Sequence, residues 1–119
     1  MWLFKLNNIY LLKMLNAEVY CASDINDLMV FKNRDKAIAV KEILNKFLED
    51  NSSIIEGTGK GHYKLFYGNE DGLTYLLKPY LGFENAGWLV REIGLNCYTY
   101  DRGIAMNGFE VVEVKYVDS

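Results

Sequence analysis

The chain has 119 residues, is 50% hydrophobic and 14% aromatic, carries a formal net charge of −3, and contains one Pro. That balance excludes intrinsic disorder as the general state, and the length suits a single domain that buries its core without metal or disulfide staples. Two cysteines, Cys21 and Cys97, and one histidine exclude a zinc cluster or a CxxC redox motif. They read as reduced thiols of an intracellular, cytoplasmic protein.

Residues 1–15 form the most apolar stretch, interrupted by Lys5, Asn7, Asn8 and Lys13. The interruptions and the missing small-residue cleavage site exclude a signal peptide, and the stretch falls short of the ~20 residues of a membrane span. Three readings stand: a first strand over residues 9–15, an amphipathic helix packing Trp2, Leu6 and Ile9, or an extension ahead of a start at Met14.

Residues 18–22 and 28–31 are β-prone and flank Ser23-Asp24-Ile25-Asn26-Asp27, whose side chains favour turns, so a hairpin is predicted. A helix follows over residues 34–49. At 100° per residue, Ala37, Val40, Ile43, Leu44, Phe47 and Leu48 share an arc of about 140°. Arg34, Lys41, Glu42, Asn45 and Lys46 lie opposite, and Asn33 is the N-cap. Substitution of Lys41 or Asn45 by Ala is accordingly expected to be nearly silent.

Residues 52–61 read as a flexible glycine-rich loop. Residues 62–67 and 73–78 flank Gly68-Asn69-Glu70-Asp71-Gly72 as a second hairpin, which Pro79 ends. Residues 86–93 make a short helix with Asn85 as cap and Gly94 at its end. Strands at 95–100 and 109–117, joined by a turn-rich connection over 101–108, complete the order ββαββαββ. The expected fold is α+β, a two-layer sandwich with a mostly antiparallel sheet, one long helix and one short helix. No boundary divides the chain.

Chemistry is sought first in Gly57-Thr58-Gly59-Lys60-Gly61-His62, because backbone N–H groups beside a Lys suit an anion. It is not a Walker A loop: Ile54 and Gly61 stand where Gly and Ser or Thr belong. Its bland reading is a surface linker. His62 is the lone histidine and lacks an evident orienting partner, so no catalytic residue is assigned. Glu56, Glu70 and Asp71 have no diagnostic metal-binding spacing. No cofactor and no metal are called for.

Tyr63, Phe66, Tyr67, Tyr75 and Tyr80 concentrate on the second predicted hairpin. Residues 65–119 carry four Lys and Arg against eight Asp and Glu, so the half bearing these rings lacks the basic track that nucleic acid needs. Tyr63, Tyr67, Tyr75 and Tyr80 are therefore assigned to a protein interface. Exposed strand edges and abundant Tyr lead to the expectation of a homo-oligomer.

The hairpin closing on Val30-Phe31, followed by Asn33-Arg34-Asp35-Lys36-Ala37 and the amphipathic helix, resembles the openings of small accessory proteins of tailed bacteriophages. The resemblance spans residues 18–48 and carries no functional residue across. It implies a viral protein that works in the host cytoplasm, inhibiting or redirecting a host protein such as a defence component. The function expected is thus non-catalytic binding. The alternative is a small-molecule or nucleotide binder, a sponge for a signalling nucleotide, using Gly57, Thr58, Gly59, Lys60 and His62.

Overall fold

Residues 9–15, Ile-Tyr-Leu-Leu-Lys-Met-Leu, are a short apolar run broken only by Lys13, a pattern consistent with a buried strand, and a strand is what forms there. The computed structural model describes residues 5–18, 24–50, 53–54, 61–62, 70–96 and 104–118. Its elements are β1 (Lys5–Glu18), β2 (Asp24–Phe31), α1 (Arg34–Asp50), β3 (Ser53–Ile54), β4 (Gly61–His62), α2 (Glu70–Leu81), α3 (Phe83–Asn96) and β5 (Ile104–Asp118). The chain is α+β, with the order ββαββααβ in place of ββαββαββ.

The sheet runs β2-β1-β5-β4-β3 and every pairing is antiparallel. β3 and β4 contribute two residues each, so the three long strands dominate. On β1, Leu12 and Met14 are fully buried and Tyr10 packs beside them. Phe31 of β2 and Phe109 of β5 join the same core. The other side of β1 carries Ile9, Leu11 and Lys13, and Lys13 Nζ lies 3.1 Å from Asp27 Oδ1 across to β2.

Residues 24–27, expected in a turn, belong to β2. Their Asx chemistry is outweighed because β1 offers each of them a ladder partner, from Lys13↔Asp27 to Asn16↔Asp24. The register skips from Leu12↔Met29 to Lys13↔Asp27, which leaves Leu28 unpaired in a bulge and buried. Glu18, expected to begin a strand, instead ends β1 opposite Ile104, so residues 104–108 are strand rather than connection.

α1 follows its sequence reading closely. Asn33 caps it by accepting the Lys36 N–H at 3.0 Å, and Ala37, Val40, Leu44, Phe47 and Leu48 are buried with Ile43 partly so. Lys46 pairs with Asp50 at 3.3 Å. One assignment is corrected. Asn45 is part-buried, and its amide spans the backbone of Phe109, Nδ2 donating to the carbonyl at 3.0 Å and Oδ1 accepting the N–H at 2.8 Å. The helix leans on β5 here, so the border of its apolar stripe faces a strand instead of water.

The second predicted hairpin is overturned. Residues 70–81 are α2, because Leu73, Leu77 and Leu81 recur at helical spacing and pack against a core already supplied by α1 and α3. Glu70 and Asp71, read as turn residues, occupy the first helical turn, where acidic side chains oppose the helix dipole favourably. Thr74 donates to the Glu70 carbonyl at 2.8 Å. Pro79, expected to stop a strand, sits exposed in the last turn of α2.

Gly82 divides α2 from α3. At φ 78° it ends α2 by donating its N–H to the Lys78 carbonyl at 2.9 Å, and its own carbonyl accepts the Ala86 N–H at 3.0 Å to open α3. The short helix expected over 86–93 therefore begins at Phe83 and continues to Asn96. Asn85 is not its cap, Gly94 is interior, and Leu95 and Asn96 are helical rather than the start of a strand. Ala86, Leu89, Val90 and Ile93 are its buried stripe. α1 packs on β1, β2 and β5, α3 packs on β2, and α2 packs on α3 and α1.

Candidate functional site

α2 has three faces. Leu73 and Leu77 are buried, with Leu81 against the core. Asp71, Thr74 and Lys78 hold the polar side, and Glu70 is exposed in the first turn, at the N-terminal end of the leucine stripe. At 100° per residue the remaining arc of about 140° collects Gly72, Tyr75, Leu76, Pro79 and Tyr80, with no charge among them. Tyr75 is 75% exposed, and Leu76, Pro79 and Tyr80 are exposed as well. Phe83, 71% exposed, follows across the Gly82 turn.

Single exposed apolar residues are ordinary on any surface, whereas neighbouring aromatics on one uncharged helix arc are characteristic of contact surfaces. Tyr and Phe present large contact areas while fixing only two side-chain torsions. At about 25 cal/mol per Å², covering roughly 130 Å² of ring contributes about 3 kcal/mol. Two such rings contribute about 6 kcal/mol gross, from which the costs of association are subtracted, so further contacts such as Leu76 are needed for a specific complex.

Of the residues assigned to an interface from sequence, the structure brings Tyr75 and Tyr80 together on one helix, not on a sheet face. Tyr63 and Tyr67 lie outside the described residues. Sequence reasoning missed Leu76, Pro79 and Phe83. Their signal was available in the Leu73, Leu77, Leu81 repeat, which fixes the helix phase and so identifies what it leaves outside. Trp88, also exposed, is a different case: Glu84, Arg91 and Glu92 are its helical neighbours, so it stands on a charged surface.

The glycine-rich segment enters through β3 and leaves through β4, where Ser53 pairs with His62 and Ile54 with Gly61. His62 pairs on its other side with Ala105. Gly57, Thr58, Gly59 and Lys60 lie outside the described residues, as do Glu56, Cys21 and Cys97. Among the described residues no group of three or more His, Cys, Asp or Glu has the arrangement to hold a metal. No described helix is long and apolar enough to cross a membrane. No family model, curated protein or solved structure matches this chain.

Proposed function

We propose that this chain is a non-catalytic binding protein, built as a two-layer sandwich, that docks on a partner protein through the uncharged arc of α2 and the adjoining Phe83. The observation that carries the reading is the exposure of Tyr75, Leu76, Pro79 and Tyr80 along one uncharged arc of α2, with Phe83 exposed at the start of α3 directly after the Gly82 turn. The resemblance of residues 18–48 to phage accessory proteins supplies the setting: a host protein in the cytoplasm, inhibited or redirected by the contact.

The test compares capture of a host protein by wild type and by Tyr75→Ala, Leu76→Asp and Phe83→Asp, with Lys78→Ala on the polar side as control. The three arc variants are expected to weaken capture at least tenfold while melting like wild type, and the control to bind normally. A nucleotide panel that raises the melting temperature by several degrees, with the rise lost in Lys60→Ala and kept in Leu76→Asp, would establish the Gly57–His62 sponge instead.

A further inference from the structure

β5 has one edge bonded to β1 along its whole length, while its other edge meets a described strand only where His62 of β4 pairs with Ala105. Beyond that point the outer edge carries a single described contact, the amide of Asn45 on Phe109. That contact reveals the phase of the ladder. Because the Phe109 N–H and carbonyl both go to Asn45, they face away from β1, and antiparallel alternation turns the same groups of Val111, Glu113, Lys115 and Val117 outward too. No register shift interrupts the β1–β5 ladder over these residues. Four consecutive outward residues thus present N–H and carbonyl groups that no other described residue takes up, on an edge of strongly β-prone sequence.

We propose that this edge pairs with the same edge of a second copy, antiparallel and centred on Val114. The register follows by elimination, since outward residues must stand opposite outward residues. A two-fold axis at Glu113 sets Glu113 against its own copy, and an axis at Lys115 does the same for Lys115. Like charges directly opposite are destabilising. An axis at Val112 uses Phe109, whose groups Asn45 already holds. An axis at Tyr116 sets Glu113 against residue 119 and so gives it no cationic side chain to face.

An axis at Val114 places Glu113 opposite Lys115 of the second copy, twice, and Val111 opposite Val117, twice. Each of these four pairs exchanges two backbone hydrogen bonds, about eight in all. Glu113 and Lys115 are exposed, and neither forms an ion pair among the described residues. Their exposure also shows that α1, which packs on β5 near Phe109, does not cover the sheet face at these two positions. Charged residues on an edge ordinarily discourage pairing. One acid and one base placed symmetrically about Val114 do the reverse for a second copy of the same chain.

On the opposite face the same register aligns Val112 with Tyr116 of the second copy and Val114 with Val114. The long strands then form a six-stranded sheet on which Ile9, Leu11, Val30, Val112 and Val114 of both copies make one apolar surface.

Light scattering on the full chain at high micromolar concentration tests this. Wild type is expected at about twice 13.7 kDa. Glu113→Lys and Lys115→Glu should each fall to the monomer mass with unchanged circular dichroism. Mixing the two should restore a dimer, because the paired basic side chains of the first variant then face the paired acidic side chains of the second. A monomeric wild type, or single variants that stay dimeric, would overturn the proposal. Leu76→Asp, which removes part of the α2 surface, should leave the dimer mass unchanged, so the two readings stand or fall separately.

Discussion

Replacing Asn45 by Ala separates two physical accounts of α1 by sign. If Asn45 were a solvated residue on the polar face, the substitution would be neutral or would stabilise the helix by about 0.5 kcal/mol through propensity. In the structure the amide instead satisfies both the N–H and the carbonyl of Phe109, at 2.8 and 3.0 Å, in a part-buried setting. Losing two hydrogen bonds costs about 2 kcal/mol, so the net change is roughly 1.5 kcal/mol of destabilisation. For a domain of this size that is a fall in melting temperature of about 6 °C.

Thermal unfolding followed by circular dichroism, with urea denaturation as a second measure, reads the difference directly. The neighbouring Gly108 adds an internal check. It sits at φ 114°, and a Cβ there would stand 3.0 Å from Asn45 Oδ1. Gly108→Ala should therefore be destabilising in both backgrounds, for its backbone alone, but less so once Asn45 has become Ala. An Asn45→Ala protein that melts with or above wild type would refute the assignment of Asn45 as the tie between α1 and β5.

Val40→Asp or Leu44→Asp buries an unpaired carboxylate among fully buried residues and is expected to unfold the protein, whereas Lys41→Ala leaves the melting temperature within about 2 °C. Gly82→Ala has open space around its new methyl but a φ of 78°, so it should cost about 1 kcal/mol from backbone strain alone, measured by urea denaturation.

How far the sequence discloses this fold depends on which neighbours each residue consults. α1 is legible because its cap and its stripe are local: Asn33 and the Ala37 to Leu48 spacing need no other element. β5 is legible as a strand from its valines, yet its extension back to Ile104 is not, because β1 provides the pairing. Residues 73–78 misled because Thr74, Tyr75 and the leucines serve a strand as readily as a helix. The core that selects the Leu73, Leu77, Leu81 phase comes from α1 and α3. The α2 surface was half visible: the tyrosines at 75 and 80 stand out in composition, but Phe83 joins them only through the Gly82 turn. Asn45 was invisible, since a residue at the border of a stripe reveals its role only when the strand beside it is known.

The pairing of β1 with β5 also governs when the molecule can be completed. The partners in that ladder, from Lys5↔Asp118 to Glu18↔Ile104, are separated by about a hundred residues, a topology associated with slow folding. During synthesis at about 5–20 residues per second, β1 waits on the order of ten seconds for β5 to emerge. Through that interval the β1–β2 hairpin and α1 exist without the strand that Asn45 is built to hold, and the inner flank of β1 is bare. The nascent chain is then at its most vulnerable to aggregation, and the arrival of β5 is what ends the exposure.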